Sequence, residues 1–209
     1  MKPNRSPYTA PPATPVRQIR QEIATIAARY VAEDGATYAI AKHKAAQQVL
    51  GSAKYSQDLL PDNAHVEQQV QVYNQLFLSD TQPARLLALR RLALTVMQEL
   101  ARFNPHLTGA VLNGSAGAHA EIVIQLYVDN GKEVVIYLLD KGVQFEVSAA
   151  QDNTQRHADP TETCSFMRDN EVIHLVLLAP DDLRRSPAKK SPRANISALQ
   201  TFIEESLTP

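Results

Sequence analysis

The spacing of apolar residues changes at Asn104-Pro105, and this change constrains the fold more than any other feature of the sequence. Before it, apolar residues recur every three or four positions, as they do along amphipathic helices. After it, short runs rich in valine and isoleucine are separated by turn residues, a pattern typical of β-strands. We therefore expect an α+β protein in which an N-terminal helical half packs on a small mixed sheet.

Residues 14–104 are predicted to form a region of four helices. Thr14 and Pro15 provide an N-cap and a first-turn proline, and Gly51 is placed to end the second helix. The fourth helix has a broad apolar surface, so we expect it to be largely buried. The predicted spans are residues 15–33, 38–50, 64–78 and 82–103. Residues 1–13 hold four prolines among small and polar residues and are predicted to be a disordered tail.

Residues 105–183 are predicted to form an α/β core. Lys132–Leu139 is ambiguous within it: Val134 and Val135 favour a strand, whereas Asp129 and Gly142 are suited to the two ends of a helix, and we prefer the helix. The predicted strands are Gly109–Leu112, Glu121–Val128, Val143–Val147, Thr163–Arg168 and Glu171–Leu178.

The connections and the C-terminus are predicted from turn and cap residues. An Asp169-Asn170 turn joins the last two strands into a hairpin. Residues 151–162 are predicted to be a polar loop and residues 184–194 a basic linker. Residues 195–209 are predicted to form a C-terminal helix that Asn195 caps.

Composition argues against several classes of protein. The 209 residues carry a net charge of −1 and an isoelectric point near 6.6, whereas general nucleic-acid-binding proteins are strongly basic. Cys164 is the single cysteine, so a disulfide framework and a zinc site of several cysteines are excluded. The sequence has neither a signal-peptide core nor an apolar run of membrane-spanning length. We therefore expect a cytoplasmic protein without membrane association.

Val111–Gln125 is the stretch that indicates a function. An apolar run ends at Gly114-Ser115, small residues follow, and Glu121 opens a second apolar run. Glycine lets the backbone approach a phosphate closely, and exposed amides together with the serine hydroxyl can bind an anion. A carboxylate at the start of the next strand could hold a divalent metal ion beside that phosphate.

This stretch resembles the nucleotidyltransferase superfamily. The pattern of that family is an apolar strand, Gly-Ser, a small loop, Asp-x-Asp on the next strand and a third carboxylate on a later strand. The resemblance covers roughly Gly109–Leu183. This chain has Glu121 at the first acidic position, Val123 at the second and His174 on the later strand, and its gap between Gly-Ser and Glu121 is shorter.

The resemblance implies a nucleotidyltransferase-like protein that binds a nucleotide with Mg²⁺. Gly114 and Ser115 would contact the nucleotide, and Glu121 and His174 would be the catalytic residues. A mixed metal site would combine Glu121, His174 and His119. Because the second carboxylate is missing, we expect transfer activity to be weak or lost.

These residues also have structural interpretations, and both remain open. Gly114-Ser115 can be an ordinary turn, and Glu121 can be a solvated residue at the start of a strand. A histidine inside an apolar strand, such as His174, is often held there by hydrogen bonds.

Four further pieces give a second resemblance, to uncharacterised proteobacterial proteins of about this length. The pieces are AKHKAAQQVLG, which ends at Gly51, LPDN at 60–63, FLSDTQPAR at 77–85 and LTGAVLNGS at 107–115. Some members of that family are labelled UDP-N-acetylmuramate–alanine ligase. The sequence does not support that label, because such a ligase needs an ATP-binding P-loop and a much longer chain.

A non-enzymatic regulatory function is the alternative. The first two predicted helices resemble a helix-turn-helix, but Tyr38-Ala39-Ile40-Ala41 offers few side chains that could contact base edges. In this alternative the N-terminal helical hairpin binds a protein or DNA, with nucleic acid the less expected partner, and the sheet half senses a ligand or forms a homodimer. Four arginines on the fourth helix form a solvated face or, alternatively, supply one contact to a bound phosphate. They are Arg85, Arg90, Arg91 and Arg102.

Overall fold

The computed structural model describes residues 15–51, 55–150, 161–184 and 192–207. The chain divides into two compact units, with the boundary between Tyr73 and Asn74. The predicted tail at 1–13, most of the predicted loop at 151–162 and most of the predicted linker at 184–194 lie outside the described residues.

The first unit is helical. Its helices are α1 (Pro15–Asp34), α2 (Tyr38–Leu50) and α3 (Asn63–Phe77), and α3 continues across the boundary between the units. Thr37 caps α2 by accepting a hydrogen bond from the Ile40 amide. The core of this unit consists largely of alanines on α1 and α2, which let two helices approach closely, together with Ile23, Val66 and Val70. These three predicted helices are confirmed, with ends shifted by one residue at most.

In its described residues the second unit combines five α-helices that begin after α3 with a sheet. The helices are α4 (Gln82–Glu99), α5 (Gly109–Asn113), α6 (Gly131–Asp140), α7 (Pro180–Arg184) and α8 (Ile196–Glu205). The preference for a helix at Lys132–Leu139 is confirmed by α6. Its N-cap is Asn130 and not Asp129, because the Asn130 side chain accepts from the Lys132 amide at 3.1 Å. Gly142 follows the helix with a φ of 68°.

The sheet is mixed, as predicted. Its strands are β1 (Pro105–Thr108), β2 (Ile122–Tyr127), β3 (Glu146–Ala150), β4 (Thr161–Arg168) and β5 (Glu171–Leu178). The spatial order is β1-β2-β5-β4-β3, and β2 with β5 is the parallel pair of this sheet. The sequence is therefore confirmed to form an α+β protein with a small mixed sheet.

The two faces of the sheet differ in polarity. Leu107, Ile124, Leu175 and Cys164 lie in one register row and are fully buried in the core formed with α4, α6 and α8. The next row lies on the opposite face and contains Thr108, Val123, His174 and Ser165. His174, the candidate site residue on the later strand, therefore lies on the polar face.

The predicted strand at Gly109–Leu112 is wrong. These residues form the first part of helix α5, and the strand is β1, immediately before them. Gly109 has a φ of 73°, which turns the chain out of β1, and one helical turn then buries Val111 and Leu112 in the core. A short apolar run does not distinguish a buried strand from a buried helical turn. As a result, Gly114-Ser115 follows a helix.

Two smaller boundaries also differ from prediction. The strand predicted at Val143–Val147 begins at Glu146, because residues 143–145 connect α6 to the sheet. The fourth predicted helix ends at Glu99, and a short 3-10 turn at Ala101–Phe103 continues it. In the part of the chain that the structure describes, no helix combines the length and the apolar character needed to cross a membrane.

Candidate functional site

Glu121 and His174 meet on the polar face of the sheet. The parallel pairing of β2 and β5 places His174 opposite Val123, two residues after Glu121. His174 Nε2 lies 3.0 Å from Glu121 Oε2. The His174 side chain is 25% exposed and that of Glu121 57% exposed, so both can be reached from solvent. Two of the predicted site residues are therefore brought together by the central strands.

Ser165 is a third member of this group, and our sequence analysis missed it. In the antiparallel β4–β5 pair Ser165 lies opposite His174, and its Oγ is 2.8 Å from His174 Nδ1. The sequence nevertheless indicates that Ser165 pairs with His174. A two-residue turn at Asp169-Asn170 fixes the hairpin register, and counting outward from it pairs position 165 with position 174.

The hydrogen bonds define the proton positions on neutral His174. An ionised Glu121 carboxylate only accepts, so the proton of the neutral ring is on Nε2. Nδ1 is then an acceptor, and the Ser165 hydroxyl donates to it. A cation bound at Nε2 would require the opposite tautomer, in which Nδ1–H donates to Ser165 Oγ. A hydroxyl can take either role, so Ser165 can support the ring in both states.

The Gly114-Ser115 loop is closed by its own hydrogen bonds. The amides of Gly114 and Ala116 both donate to the Ala110 carbonyl at 3.1 Å, and the Ser115 amide donates to Asn113 Oδ1 at 2.8 Å. Gly114 has a φ of 87° and terminates α5 in the left-handed conformation. These three amides are therefore not free to bind a phosphate, and the carbonyl end of a helix disfavours an anion.

The side chain of Ser115 is buried. The residue is 3% exposed, and its carbonyl accepts from Asn74 Nδ2 at 3.3 Å. Within the described residues, Ser115 Oγ and Asn74 Oδ1 are both buried without a hydrogen-bond partner. Gln82 also donates to the carbonyls of Gly114 and Ala116, each at 3.0 Å. Ser115 is therefore a structural part of this loop in the conformation described.

His119 does not join the Glu121–His174 pair. It lies in an exposed turn between the Gly-Ser loop and β2. Among the described residues, no three His, Cys, Asp or Glu side chains are grouped closely enough to hold a metal ion. The structure therefore offers two protein ligands where the sequence predicted three.

Two arginines of α4 have structural partners. Arg85 forms a two-pronged ion pair with Glu171, and its Nη2 also donates to the Ala118 carbonyl at 3.2 Å. Arg90 donates to the carbonyls of Val111 and Leu112 at 3.1 and 2.9 Å, and burial lowers the pKa of its guanidinium. Both cations therefore fix the loop and helix before β2 and are already engaged by protein groups.

The basic residues of α2 are likewise engaged within the first unit. Lys42 donates to Asn63 Oδ1 at 2.9 Å, and His43 Nδ1 lies 2.9 Å from the Tyr55 hydroxyl. The Lys44 ammonium lies 5.3 Å from the centre of the Tyr30 ring. These contacts give three basic side chains local structural roles.

Cys164 is a core residue. It is fully buried on β4, and burial raises the pKa of its thiol, with a further increase from the charge of Glu162. A thiol with a raised pKa stays protonated at neutral pH and is a poor nucleophile.

No family model, curated protein or solved structure matches this chain.

Proposed function

We propose that the second unit is a nucleotidyltransferase-like domain that binds a nucleotide with one divalent cation, and that its transfer activity is weak or lost. One observation carries this proposal: β2 and β5 are adjacent and parallel and bring Glu121 to within 3.0 Å of His174. The resemblance predicts such a meeting between the first acidic position and a residue on a later strand.

The order of elements also supports the proposal. Strand β2, helix α6 and strand β3 follow one another within residues 109–183. A strand–helix–strand unit at this place is what the resemblance implies. The mixed sheet then places the later strand, β5, directly beside β2.

The donor set fits a cation that arrives with the nucleotide. The Glu121 carboxylate oxygen is a ligand that suits Mg²⁺ or Mn²⁺ when phosphate oxygens and water complete the coordination, whereas the His174 imidazole suits transition-metal ions better than Mg²⁺. When bound, such a cation would neutralise charge on the phosphates. Because the second carboxylate is missing, Glu121 and His174 would fix the position of the cation less well. We therefore expect the nucleotide to bind but its transfer to be slow or absent.

The phosphate contact at Gly114-Ser115 requires a change in the loop. At least one of the three amides must release its present acceptor, or the buried Ser115 hydroxyl must turn outward. Ser115→Ala therefore distinguishes two versions of the proposal. Reduced nucleotide binding would indicate that the loop opens, whereas unchanged binding would assign the contact to the Glu121–His174 pair alone.

The test is nucleotide binding by thermal shift and calorimetry. ATP, CTP, GTP and UTP are each added with and without Mg²⁺ or Mn²⁺ to wild type, Glu121→Gln and His174→Gln. The control is Glu133→Gln, which removes an exposed carboxylate from the first turn of α6. We expect cation-dependent stabilisation by at least one nucleotide, lost in both site variants and kept in the control. If wild type is not stabilised, or both site variants bind as wild type does, the proposal is wrong.

A further inference from the structure

A cavity of about 1140 Å³ lies within the second unit. It is bounded by the C-terminal ends of α4 and α6, by residues 142–146 that lead into β3, and by the turn end of the β4–β5 hairpin. Small-molecule sites typically occupy roughly 300–1,000 Å³. The cavity is therefore large enough for an elongated molecule.

The cavity exists because β3 covers only part of β4. The register of this pair runs from Ala150–Thr161 to Glu146–Ser165 and stops there. Residues 166–168 of β4 extend past the end of this pairing to the turn, and β3 does not cover them. Residues 141–145 connect α6 to the start of β3. A gap consequently remains between this connection and the last residues of β4.

The floor of the cavity is apolar. Val96, Leu100, Leu138 and Phe166 line it and are each less than a tenth exposed. Val143, Phe145 and Val172 are half-buried at its sides. Met167, at its rim, is 64% exposed, and a flexible thioether can adapt to ligands of different shape. Filling the cavity with hydrocarbon would remove this apolar surface from water.

The polar end of the cavity has one cation in excess. Arg168 donates to both carboxylate oxygens of Glu99, at 2.6 and 2.8 Å, so these two charges neutralise each other. Lys141 also lines this end, and its ammonium lies 5.7 Å from the centre of the Tyr137 ring. Among the described residues this ammonium has no hydrogen-bond acceptor, and an acceptor on a ligand would supply one. Glu146, the fourth charged residue of the lining, begins β3 opposite Ser165, and with it the four lining charges sum to zero.

We propose that this cavity binds an elongated apolar molecule with one carboxylate, of the class of a medium-chain fatty acid. The hydrocarbon lies against Leu138, Phe145 and Phe166, and the carboxylate lies at Lys141 beside the Glu99–Arg168 pair. Neither Glu121 nor His174 lines the cavity, but Ser165, whose Oγ lies 2.8 Å from His174 Nδ1, does.

The absence of tryptophan from the sequence provides a direct readout. Met167→Trp places a single fluorophore at the rim, where an exposed position should tolerate a large side chain. Phe202→Trp on α8 is the matched control, since Phe202 is 43% exposed and does not line the cavity. Both proteins are titrated with decanoate, decanol and decylamine below their micelle-forming concentrations, after circular dichroism has shown that the variants fold.

We expect decanoate to change the emission of Met167→Trp along a saturable one-site curve and to leave Phe202→Trp unchanged. Adding Lys141→Gln to the reporter should weaken decanoate about fivefold, the effect of one partly exposed ion pair, and leave decanol unaffected. Lys132→Gln, on the first turn of α6, is the charge control and should have no effect. A non-saturable response, a response shared by Phe202→Trp, equal effects of Lys141→Gln on decanoate and decanol, or a preference for decylamine would each overturn the proposal.

Discussion

His174 is held from both sides, and this defines a testable tautomer. Its Nε2 contacts a carboxylate and its Nδ1 contacts a hydroxyl, at 3.0 and 2.8 Å. Because the carboxylate can only accept, we expect the neutral ring to carry its proton on Nε2. Long-range ¹H–¹⁵N correlations of the histidine rings measure this directly. A ring protonated on Nδ1 would contradict the assignment of Glu121 as the acceptor.

His106 provides an internal control in the same spectrum. Its Nδ1 lies 3.1 Å from the Asn104 carbonyl, which can only accept, so its proton belongs on Nδ1. Burial lowers the pKa of His106, which keeps the ring neutral near pH 7. The two histidines should therefore show opposite tautomers.

Gly114 is required for its backbone conformation. Its φ is 87°, and an added Cβ would meet Leu86 Cδ2 at 3.9 Å, an ordinary contact. We therefore expect Gly114→Ala to lower the free energy of unfolding by about 1 kcal/mol, the conformational cost alone, and Gly114→Asn to lower it less. Urea denaturation measures both. Gly117, which is not among the residues with positive φ, is the control position; an equal loss in Gly117→Ala would contradict the explanation.

At the level of elements, the Glu99–Arg168 pair joins the end of α4 to β4. The hydrogen bonds from Arg168 lower the pKa of the Glu99 carboxyl, and the charge of Lys141 lowers it further. As the pH falls through the usual range of a glutamate, about 4 to 5, the unfolded chain takes up the proton first. The stabilisation is therefore present at neutral pH and is lost on acidification.

Glu99→Gln should remove this pH dependence. Both side chains are at least a third exposed, so we expect a loss of about 0.5 kcal/mol at neutral pH that shrinks towards about pH 4. Urea unfolding curves at several pH values measure the difference. Glu205→Gln, at the exposed end of α8, should show no such trend. A difference from wild type that stays constant down to pH 4 would show that the ion pair is not its source.

Not every element that the sequence predicted correctly carries a strong local pattern. The hairpin follows from its Asp169-Asn170 turn, in which both residues have positive φ. The local pattern of α6 was ambiguous, and the helix was preferred because the resemblance implies a strand–helix–strand order. The strand at Gly109–Leu112 was wrong because a four-residue apolar run has no period to measure. Our interpretation of Gly114-Ser115 assumed that a strand ended there, whereas the pair follows helix α5; the phosphate contact itself stays a prediction.

The pairing of Glu121 with His174 had a different basis. No local sequence pattern predicts that β5 lies beside β2, because β3 and β4 separate these two strands along the chain. The family resemblance supplied that expectation, and the positions do meet. The place of His119 depends on the path of a loop of small residues, which composition does not determine.

At the level of the whole molecule, the two units have separate cores. One core contains Val66 and Val70 with the alanines of α1 and α2, and the other contains Leu175 and the inner face of the sheet. We expect Leu175→Ala to destabilise the second unit by about 3 kcal/mol and to accelerate hydrogen exchange in β2, β4 and β5. Exchange in α1 and α2 should stay at the wild-type rate.

Val66→Ala is the reciprocal variant and should accelerate exchange in α1 and α2 without affecting the strands. Hydrogen exchange followed by mass spectrometry reports both units in one experiment. Acceleration of all helices and strands by either variant would show that the chain unfolds as a single cooperative unit.

The position of β5 has a consequence for folding during synthesis. β5 lies between β2 and β4 in the sheet, so the edge of β2 that pairs with β5 stays unpaired while α6, β3 and β4 are synthesised. An open strand edge of this kind is prone to intermolecular pairing. The contact between Glu121 and His174 cannot exist before that edge is closed, so the site also serves as a marker that the sheet has been completed.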